Sequence, residues 1–342
     1  MQSTQIRLAA RPVGEPDDSV FETATVDLPA VEEGQVLLRT VYLSLDPYLR
    51  GRMSAAKSYA APLEVGDVLM GGTVSEVMES RHLEYETGDM VLSYSGWQTH
   101  AVADSKGIRK LDPQDAPVST ALGVLGMPGF TAYAGLLEIG RPKAGETVVV
   151  AAATGPVGSA VGQIAKTRGA RAVGIAGGPE KCRALLEEFS FDAAVDHRSA
   201  GFVNELRAAA PDGIDVYFEN VGGPVTDAVL PLLNTYARVP VCGLVAGYNA
   251  TSAPEGADRL PAFLGQVLTK SLTVRGFIQD EFRRSHGPDF VRDMGGWVRD
   301  GSVRYREDVV EGLDSAPEAF RGLLRGANFG KVLVRVGDDP TL

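Results

Sequence analysis

The sequence predicts an α/β protein in which a doubly wound parallel sheet is inserted into a mostly β domain. Over residues 148–277, apolar runs alternate with helical patterns, as they do in a parallel sheet covered by helices on both faces. On either side of this region, short strand-like runs are separated by glycine, proline and charged turns. We therefore predict an outer domain formed by residues 1–125 and 301–342, and an inserted domain over 126–300.

The outer domain is expected to consist of short strands. In its first part, the strand-like runs cover residues 36–45, 68–77, 90–94 and 97–102. Turns that contain Gly-Asp pairs separate some of these runs. Near the C-terminus, a strand-like run from residue 305, a helical pattern over 316–324 and a strand over 330–336 return to the same domain.

The inserted domain opens with an apolar run that ends in a glycine turn, Val148-Val-Val-Ala-Ala-Ala-Thr-Gly-Pro-Val-Gly-Ser159. Its β-branched residues suit a buried parallel strand, and the glycines permit a tight turn with close backbone approach. Because the first N–H groups of a helix are free and its dipole favours negative charge, this turn can bind a dinucleotide diphosphate. The predicted contacts are Gly155, Pro156, Val157 and Gly158. A strand, turn and helix without a ligand also needs glycine.

Further strand-and-helix units complete the predicted sheet. The later strands cover residues 170–176, 192–195, 214–221, 237–244 and 272–277, and a helix over 180–189 lies behind the second strand. Polar or amphipathic stretches between them can cover the faces of the sheet. Residues 247–261 are the most loop-like long piece. A sheet of this type binds nucleotides at the carboxyl ends of its strands.

Composition excludes several classes of function. The formal net charge is -11 and no Lys/Arg run is present, which argues against a nucleic-acid partner. No apolar stretch is long enough to span a bilayer, and the N-terminus lacks the pattern of a signal peptide. We therefore expect a cytoplasmic enzyme without a membrane partner.

The thiols and imidazoles give no metal pattern. Cys182 and Cys242 lie in different units of the inserted domain, so we expect two buried thiols rather than a disulfide. The histidines have no ligand spacing, and no metal site is predicted. They are His82, His100, His197 and His286.

Six motifs, spread in order along nearly the whole chain, resemble those of the zinc-free medium-chain dehydrogenase/reductases. More narrowly, they are similar to the prostaglandin reductase and 2-alkenal reductase branch, which includes bacterial NADPH-dependent curcumin reductases. The resemblance implies a Rossmann domain inserted in a GroES-like catalytic domain, a homodimer, and NADPH-dependent reduction of the C=C bond of α,β-unsaturated ketones or aldehydes. The motifs are Leu45-Asp-Pro-Tyr-Leu-Arg-Gly-Arg-Met53, Leu125-Gly-Met-Pro-Gly-Phe-Thr-Ala-Tyr133, Ala152-Ala-Thr-Gly-Pro-Val-Gly158, Tyr217-Phe-Glu-Asn-Val-Gly-Gly223, Cys242 to Asn249, and Asn328-Phe-Gly-Lys331.

The tip of the second strand favours NADPH over NADH. It carries no acid that would repel a 2′-phosphate, and Lys181 can supply a cation. Glu180 can point to solvent from the first turn of its helix. His197 stands where the family often has a tyrosine near the phosphate. It could donate when protonated or stack beside the adenine, with Arg198 adding charge, but an exposed loop histidine fits equally well.

Other predicted cofactor contacts leave the carboxyl ends of later strands. Asn220 ends the fourth strand, where capping of the following turn is its alternative role. The ring of Phe277 can equally pack in the core. The resemblance places Asn328 beside the nicotinamide. The remaining predicted contacts are Cys242, Gly243, Tyr248 and Ile278.

Two tyrosines are the predicted catalytic residues. Hydride addition to the β-carbon of an enone drives negative charge onto the carbonyl oxygen, and without a metal a hydrogen-bond donor must stabilise it. Tyr248, acting with the cofactor's ribose hydroxyl, is the first candidate, and Tyr48 is the second. Either tyrosine could instead have only a packing role. The α-carbon receives its proton from Tyr248 or from water. Arg50 and Arg52 could bind an acidic substrate tail, although solvated or ion-paired arginines are the commoner outcome.

Two other functions remain open from the sequence. A quinone reductase of the same broad family would share the cofactor and the lack of zinc. A regulatory protein that binds NADPH without turnover would need no catalytic tyrosines. The size of the substrate pocket depends on the loops at residues 54–64 and 247–261. Because the sequence does not give the conformations of these loops, it does not name the substrate.

Overall fold

A computed structural model describes residues 1–253 and 258–342, so residues 254–257 of the loop-like stretch lie outside the described part. The strands are β1 (Gln2–Leu8), β2 (Phe21–Asp27), β3 (Gln35–Ser44), β4 (Thr73–Ser80), β5 (Met90–Ser93), β6 (His100–Asp104), β7 (Arg109–Leu111), β8 (Thr147–Ala151), β9 (Arg171–Ala176), β10 (Ala193–Asp196), β11 (Ile214–Phe218), β12 (Leu233–Val241), β13 (Thr273–Gly276), β14 (Glu307–Glu311) and β15 (Lys331–Arg335). The α-helices are α1 (Tyr48–Arg52), α2 (Met127–Ala134), α3 (Pro156–Thr167), α4 (Pro179–Glu187), α5 (Phe202–Ala209), α6 (Gly223–Val229), α7 (Leu260–Thr269), α8 (Arg283–Asp300) and α9 (Ala316–Leu324).

The chain forms two compact units. The outer unit contains residues 1–123 and 307–342, and the inserted unit contains residues 124–306. Within the described ranges, no helix has the length and apolar character needed to cross a membrane.

The outer unit is mostly β. Its main sheet has the strand order β14-β15-β3-β4-β5-β7, with β6 also paired to β3, and β1 and β2 form a separate antiparallel pair. The C-terminal strand β15 lies antiparallel to β3, so it brings the last residues of the chain beside residues near its beginning. Trp97 is fully buried in the core of this unit, stacked on Phe21 and edge-on to Phe320.

The second predicted strand begins later than the sequence pattern indicates. Residues 68–72 are not part of it, and β4 starts at Thr73. The chain before β4 runs so close to β3 that a Cβ on Gly71 would lie 2.9 Å from Leu43 Cδ1 and 3.0 Å from Ser44 O. Towards β3 this segment accepts a bond from Ser44 N at Gly72 O, whereas Leu69 N donates to Ile6 O and Leu69 O accepts from Trp97 N.

The inserted unit contains the predicted doubly wound sheet, and the predicted fold class is confirmed. Six strands run parallel in the order β10-β9-β8-β11-β12-β13, which is the Rossmann order. The order reverses between β8 and β11, and ligands of such sheets bind at this point, at the carboxyl ends of the strands. The core beneath this edge includes Val149, Val173 and Tyr217, all inaccessible to solvent.

The prediction of two buried thiols holds only in part, because burial raises the pKa of both thiols while neither residue is fully enclosed. Cys182 and Cys242 are free cysteines, but each residue is partly exposed. Cys182 lies in α4 and Cys242 directly follows β12, so both stand near the carboxyl edge of the sheet, where the chain leaves the core.

Candidate active site

The turn between β8 and α3 is packed so tightly that it admits only glycine at one position. A Cβ on Gly158 would lie 2.4 Å from Ala152 O, while Ala152 itself has a φ of 51°. Gly155 precedes α3 without a side-chain cap, and Pro156 is the first helical residue. The first N–H groups of α3 therefore face outward without an intrahelical acceptor. This turn fits the diphosphate of a dinucleotide.

A cluster of basic side chains surrounds the tip of β9. A Cβ on Gly177 would lie 2.9 Å from both His197 Nε2 and Arg198 Nε. The carboxylate of Asp196 accepts hydrogen bonds from Gly178 N and Arg198 N, each at 2.9 Å, and so ties the tips of β9 and β10 together. These two bonds hold the pKa of Asp196 below its usual value.

Not every basic side chain in this cluster is charged at neutral pH. Burial and then the charge of Arg198 lower the pKa of His197, with Lys181 acting in the same direction. His197 is therefore a neutral imidazole at neutral pH, and Lys181 and Arg198 provide the positive charge. Glu180 is exposed in the first turn of α4, as expected. The arrangement suits a phosphate beyond the strand tip.

Glu219 organises the end of β11; it lies in the motif Tyr217–Gly223, but it is not among the predicted site residues. Its buried carboxylate accepts hydrogen bonds from Val221 N at 2.7 Å and Gly222 N at 2.9 Å, and from the hydroxyl of Thr226. The turn is therefore capped by Glu219 and not by Asn220. Asn220 Nδ2 instead donates to Ala151 O at 2.8 Å, which links the ends of β11 and β8.

Tyr248 lies over the end of β12. Its hydroxyl stands 3.4 Å from the position that a Cβ on Gly243 would occupy. Cys242 N and Gly243 N both donate to Glu219 O, at 2.9 and 3.2 Å, so the segment after β12 is held against the end of β11. Burial, followed by the charge of Glu219, raises the pKa of Cys242 to about 12, and its thiol stays protonated.

The residues after β13 have mixed roles. The ring of Phe277 packs edge-on against Phe218, so it belongs to the core. It fits there because Gly135 has no side chain: a Cβ on that glycine would lie 2.4 Å from Phe277 Cζ. Ile278 is 38% exposed at the strand end and remains available for contact with a ligand.

The outer unit holds the other predicted site residues. Tyr48 opens α1 and is partly buried; burial, and then the charge of Asp46, raise the pKa of its hydroxyl well above 10.0. Asn328 Nδ2 donates to Gly330 O at 2.8 Å within its own turn. Arg50 is buried and donates to Gly14 O at 2.7 Å, so its guanidinium serves packing and not an acidic substrate tail. Arg52 is close enough to Tyr48 to oppose the rise of its pKa.

Across residues 1–253 and 258–342, no group of three or more His, Cys, Asp or Glu side chains is placed to hold a metal ion. The inserted unit thus offers the glycine turn before α3, the basic side chains at the tip of β9 and the hydroxyl of Tyr248, and the outer unit by itself offers the hydroxyl of Tyr48. These features are those of a dinucleotide-dependent oxidoreductase.

Comparison with known proteins gives the family. Residues 4–111 match a family described as "N-terminal domain of oxidoreductase", and residues 156–289 match one described as "Zinc-binding dehydrogenase". The chain is 56% identical to an NADPH-dependent curcumin reductase of Escherichia coli (strain K12) over 335 residues, 97% of this chain and 96% of the relative. It is 42% identical to prostaglandin reductase 1 of Rattus norvegicus over 327 residues, 94% and 95% of the two chains.

A solved structure agrees with these relatives. The structure of CurA from Vibrio vulnificus in complex with NADPH superposes with a TM-score of 0.95 at 52% identity, covering 98% of this chain and all (100%) of that one. The chain belongs to the zinc-free medium-chain dehydrogenase/reductases, in the branch of the prostaglandin and curcumin reductases. It is accordingly an NADP-dependent oxidoreductase.

Proposed function

We propose that this protein reduces the C=C bond of α,β-unsaturated ketones and aldehydes with NADPH. The names of the curcumin and prostaglandin reductases support this class of reaction. The observation that carries it on this chain is the hydroxyl of Tyr248, held over Gly243 at the carboxyl edge of the parallel sheet. A hydrogen-bond donor at this edge is what an enone reduction without a metal requires.

The inserted unit would hold the cofactor through two anion sites. The free N–H groups at the start of α3 would bind the diphosphate, and the side chains of Lys181 and Arg198 would bind the 2′-phosphate. Neutral His197 would contact the phosphate or the adenine edge. NADPH supplies a hydride when bound.

The tyrosines would act on the substrate. As the β-carbon gains hydride, the carbonyl oxygen gains negative charge, and the hydroxyl of Tyr248 would donate to it. Because burial and Asp46 keep the pKa of Tyr48 high, Tyr48 is also a neutral donor at physiological pH. The α-carbon then takes a proton from Tyr248 or from water. Asn328 is retained as a proposed neighbour of the nicotinamide.

A substrate panel tests the proposal. Purified protein is mixed with NADPH and a short 2-alkenal, an aryl enone or a quinone, and NADPH oxidation is followed together with product mass. We expect the enal and enone to be converted to their saturated carbonyl compounds, with deuterium from 4-deuterated NADPH appearing on the β-carbon. Turnover of the quinone alone would assign a quinone reductase. NADPH binding without oxidation of any compound would assign a regulatory protein.

We also propose that the protein is a homodimer and that it resides in the cytoplasm. Every residue of the edge strand β13 is exposed, and α7 buries none of its residues although its sequence is largely apolar. A second copy that lies against β13 would satisfy the edge of the sheet and cover this helix. Light scattering on wild type and on Leu264→Glu/Leu268→Glu tests the dimer, which the variant should shift toward monomer. Fractionation of expressing cells tests the location.

A further inference from the structure

We propose that the buried ion pair between Lys331 and Asp46 holds Tyr48 in place for the substrate, which makes both residues positioning residues of the reaction. The pair joins two motifs from opposite ends of the chain, Leu45-Asp-Pro-Tyr48 and Asn328-Phe-Gly-Lys331. The inference rests on the proposed function, because Tyr48 is treated as part of the substrate site.

The pair is enclosed and connected on several sides. Lys331 Nζ lies 3.1 Å from Asp46 Oδ1 and donates to Leu45 O at 2.6 Å, and the two side chains are only 3% and 9% exposed. The second carboxylate oxygen of Asp46 accepts a hydrogen bond from Ser44 Oγ at 2.5 Å. Lys331 is therefore bonded both to the backbone of Leu45 and to the side chain of Asp46, in the segment that follows β3.

This segment leads directly into Tyr48. Asp46 O accepts a hydrogen bond from Leu49 N at 3.1 Å, and Pro47 caps α1 with a φ of −60°. Only Pro47 separates Asp46 from Tyr48 in the sequence, and the proline ring limits rotation of the intervening backbone. A shift of Asp46 would therefore move the start of α1 and the tyrosine with it.

Attachment of β15 to the sheet does not require the pair. Leu333, Val334 and Arg335 already pair with the end of β3, and Leu45 N donates to Val332 O at 3.3 Å. A buried ion pair also adds little net stability, since the loss of hydration offsets the attraction between the charges. What the pair adds is a fixed position and direction for the segment that carries Tyr48.

Glu307 determines how the pair must be tested. Its charge acts on Lys331, and burial raises the pKa of its own carboxyl, with Ser119 and Lys331 opposing that rise. Removal of Asp46 alone would leave Lys331 with Glu307 as an alternative partner. The informative variant removes both charges: Lys331→Met keeps an unbranched side chain that is one atom shorter, and Asp46→Asn keeps an acceptor for the hydroxyl of Ser44.

The matched control removes a more exposed ion pair of the same unit, in which the Asp89 side chain is 15% exposed. Lys110 Nζ lies 2.7 Å from Asp89 Oδ1, and the lysine side chain is 54% exposed. Lys110→Met/Asp89→Asn makes the same two chemical changes away from α1. We expect this control to keep wild-type kcat/KM for an aryl enone.

For Lys331→Met/Asp46→Asn we expect a folded protein with unchanged NADPH affinity and about a tenfold or larger loss of kcat/KM for the enone, because a misplaced contact group is costly in rate. We expect Tyr48→Phe alone to lower kcat/KM. Adding it to this variant should cost less than about a further twofold, because the two changes remove the same function. Unchanged kcat/KM with altered thermal stability alone, or fully additive losses, would overturn the proposal.

A second measurement does not depend on enone activity. Tetranitromethane modifies exposed tyrosines, and peptide mass spectrometry gives the nitration of Tyr48 relative to Tyr236 of the inserted unit, which is 71% exposed. The ratio should rise in Lys331→Met/Asp46→Asn and stay constant in the control. A constant ratio in both variants would show that the pair does not position Tyr48. If wild type reduces no enone, the proposed function fails, and the nitration ratio still decides whether the pair positions this tyrosine.

Discussion

The two units build their parts of the proposed site in different ways. The inserted unit relies on backbone: Gly158 lets α3 approach Ala152, and Gly177 makes room for basic side chains. The outer unit relies on side chains that meet across 285 positions of sequence, Asp46 and Lys331. A site made from close-packed backbone leaves a local pattern in the sequence, whereas one made from distant side chains becomes visible only in the folded chain.

Tyr248 is the side chain on which the inserted unit is proposed to depend for chemistry, so its removal should have the largest effect. Tyr248→Phe keeps the ring and deletes the donor. Loss of one donor to a developing oxyanion lowers the rate by about 10²–10³, or toward tenfold where the ribose hydroxyl shares the role. Single-turnover hydride transfer to an aryl enone measures this change.

The affinity for NADPH provides the control for Tyr248→Phe, and it should match wild type. Hydride transfer at the wild-type rate would mean that Tyr248 only lines the pocket. The hydrogen-bond donor would then have to be Tyr48 of the outer unit, and the inserted unit would contribute cofactor binding alone.

The second prediction tests whether the close packing of Gly158 against Ala152 constrains the backbone between β8 and α3. In Gly158→Ala the new Cβ would meet Ala152 O at 2.4 Å, so α3 must move away from β8. Overpacking of this kind costs about 1–3 kcal/mol of unfolding free energy. The displaced N–H groups should also weaken NADPH binding. Chemical denaturation and fluorescence titration measure the two effects.

Gly295→Ala is the matched control, since Gly295 also lies inside a helix, α8, and no atom beyond its chain neighbours and the backbone of that helix comes within 4 Å of the position that its Cβ would occupy. It should be neutral or stabilising by up to about 1 kcal/mol. Helix propensity favours alanine over glycine at both positions, so equal destabilisation by both substitutions would mean that the approach to Ala152 is not the cause of the loss at position 158.

Local patterns are sufficient to predict the sheet of the inserted unit but not every element. β8 and its glycine turn follow from a β-branched run, yet no pattern predicts α8. Its Pro288 and its glycines lower helix propensity, and its buried face is reduced to Phe290 and Met294. β2 also escapes prediction, because most of its residues are exposed and no apolar alternation marks it.

The same limit applies to the site. The sequence places Asn220 at a strand end, but its bond to Ala151 O connects strands 69 residues apart in sequence. Glu219 reads as an ordinary strand residue, and only the folded chain shows that its carboxylate caps the following turn. The partner of a buried charge is set by the tertiary fold, and a single sequence does not encode it locally.

The third prediction concerns the basic cluster at the tip of β9. In Lys181→Ala, loss of one charged phosphate contact, on the order of 1.5–3 kcal/mol, should raise the KM for NADPH about tenfold or more. The KM for NADH, which has no 2′-phosphate, should barely change. Steady-state kinetics with both cofactors gives the comparison, and equal effects on the two would refute the assignment of Lys181.

His197→Gln separates permanent charge from a neutral ring in this cluster. Because burial and Arg198 lower the pKa of His197, the imidazole carries no charge at pH 8. The substitution should therefore alter the KM for NADPH less than Lys181→Ala does. A larger effect of His197→Gln would indicate that stacking or a specific hydrogen bond, and not the lysine charge, dominates recognition.

The smallest expected effect is that of metal removal. One matched family is described as a zinc-binding dehydrogenase, so a requirement for zinc has to be tested on this chain. Zinc binds cysteine as thiolate, but burial raises the pKa of both thiols, that of Cys242 to about 12. The histidines have other neighbours: His286 Nε2 lies 3.5 Å from Glu138, and His100 Nδ1 lies 3.2 Å from the hydroxyl of Thr99. We therefore expect the rate of enone turnover to stay unchanged after exhaustive chelation, and elemental analysis to find no stoichiometric zinc.

Activity that falls on chelation and returns with zinc would mean that a metal, and not the tyrosine hydroxyls, polarises the substrate carbonyl.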